Sequence, residues 1–392
     1  MIRFMKKILV VPDSFKGTLT SKQVSDIISS ELALHFKNAE IVSIPIADGG
    51  EGSVECLVRA LGGEKIHSFV CGPFGNKVKA TWGIIHNSTA IIEIASCAGH
   101  VEKKSNNTPM DSTTFGVGEL ILEAAKHGCN KIIVCLGGAC TNDAGCGLAS
   151  AVGFKFLNSE GKEFIPTGRT LKMINKIDAS NVNNLLKNIQ FLTLVDVTNP
   201  LYGEDGAAYV FAPQKGADIE TVRALDLGLQ HISKVIKNDL GVDISNICGA
   251  GASGGTGAGM VAFLKSDLQL GIEYIVKELN LEEDIKNSSL VITGEGKVDK
   301  QSLNGKVISG IGKCARKYGV PIIILTGGDD INNAFLYELG ITAIFPINRL
   351  PEELTYDYEK NKEKLRNLVK NICRLIKVSA NYKLSDIEDC AN

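Results

Sequence analysis

Five polar segments rich in glycine interrupt an otherwise ordinary α/β sequence, and each contains an ionisable or hydroxyl side chain. They are residues 12–17 (PDSFKG), 47–52 (ADGGEG), 137–143 (GGACTND), 249–259 (GAGASGGTGAG) and 293–299 (TGEGKVD). Glycine permits positive φ and lets backbone N–H groups come close to an anion. Such loops suit phosphate better than they suit a hydrophobic core, so the pattern predicts a protein that handles phosphates.

The charge balance and the apolar runs exclude several classes of partner. Lysine and arginine number 42 against 44 acidic residues, a formal net charge of −2 that gives no basic field for nucleic acid. The apolar runs are far shorter than the roughly 20 residues of a membrane span, and the first ten residues lack a signal-peptide pattern. The 11 cysteines form no Cys-x-x-Cys pair, which favours free thiols. We therefore expect a cytoplasmic protein without nucleic-acid or membrane partners.

Hydrophobic periodicity predicts an α/β chain of two domains, as a length of 392 residues also suggests. A β-α-β pattern opens the chain, with a strand at 7–11, a helix at 21–36 and a strand at 41–46. Closely spaced β segments follow from residue 64 onwards, and the pattern of the opening returns with short apolar strands near the end. Further predicted elements are strands at 131–136, 191–195, 207–211, 290–293, 322–326 and 343–347, and helices at 53–61, 116–127, 219–240, 257–264, 268–279 and 306–318.

The return of the opening pattern predicts a discontinuous domain. Residues 1–85 and 286–378 would form one doubly wound, mostly parallel α/β sheet domain, because short apolar strands alternating with helices are typical of parallel βαβ units. Residues 86–285 would form a second α/β domain inserted into the first. Residues 379–392 would be a polar C-terminal tail.

Known nucleotide motifs do not account for the glycine-rich segments. Residues 249–254 match G-x-G-x-x-G, but residues 242–248 do not have the pattern of the buried strand that a dinucleotide site requires. The Walker A and protein-kinase signatures are absent. A glycine-rich loop that leads into a helix still suits phosphate, whereas the alternative is close packing through small residues.

Carboxylates and lysines lie just beyond the carboxyl ends of predicted strands, where doubly wound sheets bind ligands. Lys16 could pair with a phosphate or a substrate carboxylate, and Asp13 with Mg²⁺ or a substrate hydroxyl; alternatively, Asp13 caps the turn and Lys16 is solvated. Asp48 and Glu51 suit Mg²⁺, which takes one or two carboxylates and phosphate oxygens, or they cap the helix that begins near residue 53. Asp196 is a candidate to accept a proton from an alcohol.

Taken in order, these segments resemble the type 1 glycerate kinase family of bacteria, which phosphorylates D-glycerate with ATP. The resemblance spans roughly residues 7–347. It rests on residues 13–17, 47–52, 113–120 (TTFGVGEL), 137–147, 196–201 (DVTNPL), 213–216 (PQKG), 249–259 and 293–296. It implies a two-domain α/β kinase with one domain inserted in the other and the active site in the cleft between them. Cys140 and Ala144 depart from the smaller residues or glycines that the family more often has there.

The residues and the resemblance together predict a site for ATP, Mg²⁺ and D-glycerate. The resemblance alone favours 2-phosphoglycerate over 3-phosphoglycerate as product. The predicted cofactor contacts are Gly137, Gly138, Thr141, Asn142, Asp143, Gly251, Gly254, Gly255, Gly257 and Glu295. Glycerate would lie near Asp13, Ser14, Lys16, Asp48 and Glu51. The predicted catalytic residues are Lys16, Asp196, Asp13 and Lys215, and the predicted metal ligands are Asp48, Asp196 and Glu295.

Two alternatives share these motifs. One is a kinase for another small hydroxy acid, which would differ only in the fit of the acceptor pocket. The other is a non-catalytic ligand-binding regulatory protein, although a purely binding site has less need of so many charged residues at strand ends. Either a monomer or a homodimer is compatible with the sequence.

Overall fold

A computed structural model of the protein describes residues 5–15, 17–99, 108–298, 306–328, 334–348 and 357–379. The strands are β1 (Lys7–Val10), β2 (Glu40–Ser43), β3 (Glu64–Cys71), β4 (Lys77–Ile85), β5 (Thr89–Glu93), β6 (Lys131–Leu136), β7 (Lys155–Leu157), β8 (Glu163–Phe164), β9 (Lys176–Asp178), β10 (Gln190–Val195), β11 (Asp267–Leu270), β12 (Leu290–Glu295), β13 (Ile322–Thr326) and β14 (Ala343–Pro346). The helices are α1 (Ser21–His35), α2 (Ser53–Leu61), α3 (Ala95–Ala98), α4 (Phe115–Lys126), α5 (Cys146–Ala151), α6 (Ala207–Phe211), α7 (Ile219–Leu240), α8 (Ala252–Leu264), α9 (Gly271–Glu278), α10 (Leu281–Lys286), α11 (Val307–Tyr318), α12 (Ala334–Glu338) and α13 (Tyr358–Ser379).

The chain divides into two compact units, and the first is made of two separate stretches. Unit 1 comprises Met1–Ala47 and Val276–Asn392, and unit 2 comprises Asp48–Ile275. The boundaries predicted from sequence, at residues 85 and 286, differ from these. The reason is strand pairing, because β3 and β4 form an antiparallel hairpin that joins β5 in the sheet of unit 2.

Unit 1 contains a five-stranded parallel sheet in the order β14-β13-β12-β1-β2. The chain moves from β1 towards one edge and from β12 towards the other, so the topological switch point lies between β1 and β12. Ile8 and Val10 pack with α1 and α13 in one core, whereas Leu9 is buried on the opposite face. Burial on both faces explains why these strands are continuous apolar runs.

Unit 2 contains a six-stranded mixed sheet in the order β11-β10-β6-β5-β4-β3. Strands β5, β6, β10 and β11 are parallel, and β3 and β4 are antiparallel. Ile132 and Val134 face the large core that contains α4 and α7, and Gly83 on β4 allows close contact with Val54 and Val58 of α2. A small antiparallel sheet, β8-β7-β9, completes the unit.

The predicted α/β class with mostly parallel sheets is confirmed. Because parallel strands end at the same edge, the residues that follow β5, β6, β10 and β11 gather along one side of the sheet of unit 2. In unit 1 the residues that follow β1, β12 and β13 do the same. Among the helices of the described segments, none is long and apolar enough to cross a membrane.

Candidate active site

The switch point of unit 1 carries two carboxylates that the sequence predicted. Asp13 follows β1 and Glu295 is the last residue of β12, and each is only 5% exposed. The Asp13 N–H donates to the Gly294 carbonyl oxygen at 2.9 Å, and the Asp13 carboxylate accepts from the Ser14 N–H at 2.5 Å. Both carboxylates thus lie where doubly wound sheets bind ligands. Lys16 lies outside the described residues.

The loop after β13 adds polar groups to this edge that sequence reasoning missed. The Thr326 hydroxyl donates to the Gly328 carbonyl oxygen at 2.7 Å, and the Asn348 amide donates to the Gly327 carbonyl oxygen at 3.1 Å. These bonds fix a turn beside Glu295, whose carbonyl oxygen accepts from the Gly327 N–H. The available signal was a threonine that ends an apolar strand at the same edge of the sheet.

In unit 2, residues 48–52 form a loop that reaches the carboxyl edge of the sheet through two glycines. A methyl group on Gly49 would lie 2.5 Å from the Gly271 Cα, and a methyl group on Gly137 would lie 2.8 Å from the Gly50 Cα. The Asp48 carboxylate accepts from the Gly50 N–H at 3.0 Å and is 3% exposed. Backbone contact between loops therefore places Asp48 beside the ends of β6 and β11.

The first turn of α2 accepts a side-chain cap from a neighbouring strand, and the helix-capping alternative for Asp48 and Glu51 stays a prediction. The N-cap of α2 is Gly52 and makes no side-chain capping bond. The Val54 N–H instead donates to the Glu93 carboxylate at 2.6 Å, and the Gly52 N–H donates to the same carboxylate. Burial, reinforced by the nearby charges of Glu51 and Glu55, raises the pKa of Glu93 to about 7 against the opposing effect of these two N–H donors. Sequence reasoning missed Glu93, although a single glutamate at the end of an apolar strand was a visible signal.

Asp143 organises the loop that follows β6. Its fully buried carboxylate accepts four hydrogen bonds, from the Thr114 N–H (2.7 Å) and hydroxyl (2.9 Å) and from the N–H groups of Gly145 (3.1 Å) and Gly147 (3.2 Å). Burial raises the pKa of Asp143, and these bonds oppose the rise. The contacts tie the start of α4 to the start of α5, which is an internal role. The contact of Asp143 with a cofactor stays a prediction.

Thr141 and Asn142 are fully buried, and their side chains are unsatisfied. Within the described part of the chain, the Thr141 hydroxyl and both polar atoms of the Asn142 amide have no hydrogen-bond partner. Leaving a buried polar group unpaired costs about 1–3 kcal/mol, so such groups mark a place for a ligand or an ordered water. These atoms can donate to an oxyanion and, through the amide oxygen, accept from a hydroxyl or amine.

Lys215 brings a positive charge to the same loop. Its ammonium donates to the Thr141 carbonyl oxygen at 2.7 Å. Desolvation lowers the pKa of Lys215 to about 8, while the neighbouring Cys140 and Asp143 favour the charged form. The Lys215 ammonium thus contacts the loop that carries the Thr141 hydroxyl and the Asn142 amide, and all three groups are donors suited to phosphate or carboxylate oxygens.

The glycines of residues 249–257 hold the loops of this edge together. Ser253, Gly254 and Gly255 all have positive φ, at 51°, 67° and 87°, which breaks the start of α8. A methyl group on Gly254 would lie 2.0 Å from the Thr141 carbonyl oxygen, and the Gly254 carbonyl oxygen accepts from the Ala144 N–H at 3.1 Å. Close backbone packing, the alternative weighed from sequence, therefore accounts for glycine at 254. A ligand contact there stays a prediction.

The same packing extends to the loop after β10. Methyl groups on Gly251 and Gly257 would lie 2.4 Å from the carbonyl oxygens of Pro200 and Gly249, respectively. Asp196 is partly exposed at the beginning of this loop, directly beyond the end of β10. Ala144 has φ of +53°, a conformation that favours glycine.

The predicted metal ligands do not form a complete protein cage. The described segments contain no group of three or more histidine, cysteine, aspartate or glutamate side chains that could hold a metal ion. Asp48 and Asp196 belong to unit 2, and Glu295 belongs to unit 1. Mg²⁺ bound with a nucleotide needs only one or two carboxylates, because phosphate oxygens and waters complete its shell. The residues present therefore fit a metal that arrives with its nucleotide.

Comparison with known proteins identifies the family of this chain. The model described as "Glycerate kinase family" matches residues 8–377. The chain belongs to the glycerate kinase family. It is 41% identical over 370 residues to glycerate 2-kinase of Escherichia coli (strain K12), covering 94% of this chain and 95% of the relative. It is 40% identical over 377 residues to glycerate kinase of Bacillus cereus, covering 95% and 99%.

A solved structure supports the same family. The crystal structure of a Salmonella typhimurium LT2 protein, provisionally described as glycerate kinase 2, superposes with a TM-score of 0.81 at 34% identity. It covers 96% of this chain and 100% of the other. The predicted resemblance is thus confirmed, and so is the predicted class of enzyme, a kinase.

Proposed function

We propose that the protein transfers the γ-phosphoryl group of ATP to D-glycerate and that the product is 2-phosphoglycerate. The observation that carries the proposal is the buried, unpartnered pair Thr141 and Asn142 beside the Lys215 ammonium. Family membership supplies the reaction class. The name of the relative from Escherichia coli, glycerate 2-kinase, favours the 2-hydroxyl.

The loops after β6 and β10 are the proposed nucleotide site. Thr141 and Asn142 would donate to phosphate oxygens, with Gly137 and Gly138 providing backbone N–H groups nearby. Lys215 would neutralise charge on the phosphoryl group during its transfer. Such electrostatic stabilisation of the transition state is large where water is excluded. These roles use groups that the fold leaves unsatisfied, and they require the Lys215 ammonium to be charged.

The acceptor would be held by carboxylate and hydroxyl groups at strand ends. We assign glycerate contacts to Asp13, Ser14, Lys16, Asp48 and Glu51. Lys16 would pair with the glycerate carboxylate or with phosphate. Asp196 would accept the proton of the reacting hydroxyl, since it is partly exposed at the carboxyl edge where a base is needed.

Mg²⁺ would be held by one or two of Asp48, Asp196 and Glu295 together with phosphate oxygens. When bound, the ion supplies positive charge that offsets the negative charge of the phosphates. We place the reaction in the cytoplasm, because every cysteine in the described segments is a free thiol, as is usual in a reducing compartment. A monomer or a homodimer would serve equally.

The test is turnover of ATP, Mg²⁺ and D-glycerate, with the phosphoglycerate isomers resolved by ³¹P NMR. We expect 2-phosphoglycerate. Formation of 3-phosphoglycerate alone would overturn the proposed position, and turnover only with another hydroxy acid would overturn the proposed acceptor. Lys215→Met and Lys16→Ala should each lower kcat/KM at least about 100-fold, as losses of transition-state charge stabilisation do. The exposed Lys37→Ala is the matched control and should retain wild-type activity.

A further inference from the structure

Glu93 is an acidic residue at the carboxyl edge of unit 2 to which the proposed reaction gives no role. It ends β5, next to β6 in the sheet, and its side chain points at the backbone of the chain between Asp48 and α2. The carboxylate accepts from the Val54 N–H at 2.6 Å and from the Gly52 N–H. Both N–H groups lie at the start of α2, whose N-cap residue, Gly52, has no side chain to cap the helix.

Contacts at Gly49, Gly50 and Glu93 hold the 48–52 loop at the strand ends of unit 2. Gly49 packs on Gly271, and Gly50 packs on Gly137, through backbone contact alone. The third fixing point is Glu93, on which Gly52 and Val54 converge. The hydrogen bonds to Glu93 are directional and charge-assisted, so they oppose local opening of the loop at the strand ends more strongly than the small glycine contacts do.

We infer that Glu93 is a positioning residue for phosphoryl transfer, because its carboxylate holds the 48–52 loop so that Asp48 and Glu51 face the substrates. The inference rests on the proposed function of these two carboxylates. Glu93 itself bonds to backbone N–H groups that belong to the protein. Its effect on the reaction is therefore indirect, through the loop.

Burial, together with the charges around Glu93, makes this contact sensitive to pH near neutrality. Glu51 in the loop and Glu55 on α2 repel the ionised carboxylate, and Cys135 of β6 faces it from the neighbouring strand, beside Asp48 and Cys56. Lys65 of β3 forms an ion pair with Glu55. Burial above all, and then the charges of Glu51 and Glu55, raise the pKa of Glu93 to about 7. A protonated Glu93 has one oxygen that presents a hydrogen, so it cannot accept from both N–H groups as well as the carboxylate does.

A purely structural cap would behave differently from a positioning residue. Loss of a cap lowers the stability of α2 and leaves the pH dependence of catalysis untouched. Loss of a positioning contact changes kcat and removes the contribution of its ionisation to the pH profile. The two roles are therefore separable by kinetics in a variant that still folds.

Glu93→Gln is the test, because glutamine has the same size, accepts with one oxygen only and does not ionise. With ATP and D-glycerate we expect the wild-type kcat/KM to fall below about pH 7. In Glu93→Gln this acidic limb should disappear, and kcat/KM at pH 8 should be about tenfold lower, as loss of one charge-assisted hydrogen bond implies. Glu55→Gln, on the same helix with a half-exposed side chain, is the matched control: it should keep the acidic limb, moved to slightly lower pH because one repelling charge is lost, and keep the wild-type kcat/KM at pH 8.

Amide hydrogen exchange gives a second reading that needs no turnover. The Gly52 and Val54 amides should exchange about tenfold faster in Glu93→Gln than in the wild type or in Glu55→Gln, after correction for intrinsic rates. An unchanged acidic limb in Glu93→Gln, or unchanged exchange at both amides, would overturn the inference. If the wild type does not phosphorylate glycerate at all, the proposed function fails, and the exchange rates alone then decide whether Glu93 holds the loop.

Discussion

Replacement of Gly254 by alanine is the sharpest perturbation of the loop packing behind Thr141. Gly254 has φ of +67°, and an added methyl group would lie 2.0 Å from the Thr141 carbonyl oxygen and 2.6 Å from the Asn142 Cα. Both contacts are to backbone, so no side chain can rotate away. The 141–147 loop or the start of α8 must move.

Gly254→Ala should lower the free energy of unfolding for two reasons. Placing an alanine in the left-handed region costs about 1–2 kcal/mol, and overpacking at a rigid contact adds about 1–3 kcal/mol. Gly241→Ala isolates the first part, because Gly241 has φ of +71° and open space where the methyl group would be. Both substitutions restrict the unfolded chain equally, so the difference of about 1–3 kcal/mol measures the contact alone.

Urea unfolding followed by tryptophan fluorescence gives this difference. The sequence has a single tryptophan, Trp82, which is fully buried in β4 of the unit that contains both glycines. Since displacement of Thr141 and Asn142 alters the proposed phosphate contacts, Gly254→Ala should also raise the KM for ATP, whereas Gly241→Ala should not. Equal losses of stability in the two variants, with an unchanged KM in Gly254→Ala, would refute the reasoning.

Three further predictions follow from single side chains. If the Lys215 ammonium acts on phosphate, the wild-type kcat/KM should fall above about pH 8 as that group loses its proton, and Lys215→Met should abolish this alkaline limb; an alkaline limb that persists in Lys215→Met would contradict the assignment. The pKa of Glu93 rises from 4.5 to about 7 on folding, so its contribution to stability is fully present below pH 4.5 and is lost as pH rises to 7. The pH-dependent contribution of Glu93 to the free energy of unfolding is up to about 3 kcal/mol. Urea titrations at different pH should detect it in the wild type, and Glu93→Gln should remove it. Arg366 pairs at 3.0 Å with Glu31, whose side chain is 6% exposed, so Arg366→Ala should lower the free energy of unfolding by about 1–3 kcal/mol. Lys22→Ala removes an exposed ion pair and should lower it by at most about 0.5 kcal/mol. Unfolding followed by circular dichroism measures both.

The regular elements follow from hydrophobic periodicity wherever an apolar run has a clear length and clear ends. The strands at 131–136 and 322–326 and the helix at 219–240 are confirmed at both ends. The predicted strand at 207–211 is wrong, because that segment is the short helix α6. Five mostly apolar residues satisfy either pattern, and packing against α7 and α8 decides between them.

Errors of boundary have a similar origin in long-range pairing. The predicted helix at 268–279 is the strand β11 followed by α9, because Leu268 and Leu270 pair in parallel with β10. The hairpin of β3 and β4 lies in unit 2 and moves the domain boundary from residue 85 to residue 47. The pairings that decide the two cases, β11 with β10 and β5 with β6, join strands that are far apart in sequence, so local periodicity carries no information about them.

Of the candidate site, the positions beyond strand ends could be predicted, whereas the hydrogen-bond partners could not. Asp13 lies at a switch point and Asp48 at a carboxyl edge because parallel strands end together. The bond from Val54 to Glu93 joins residues 39 positions apart, and the bonds from Thr114 to Asp143 join residues 29 positions apart. Such contacts exist only after folding, which is why the internal role of Asp143 was not foreseen.

The most direct test of the account is ADP release by the purified protein with ATP and Mg²⁺, measured with and without D-glycerate. The account predicts release that depends on D-glycerate, saturates with it and is lost in Asn142→Ala, whose buried amide would no longer contact the nucleotide. ATP binding without D-glycerate-dependent ADP release, in protein whose folding is intact, would contradict the account.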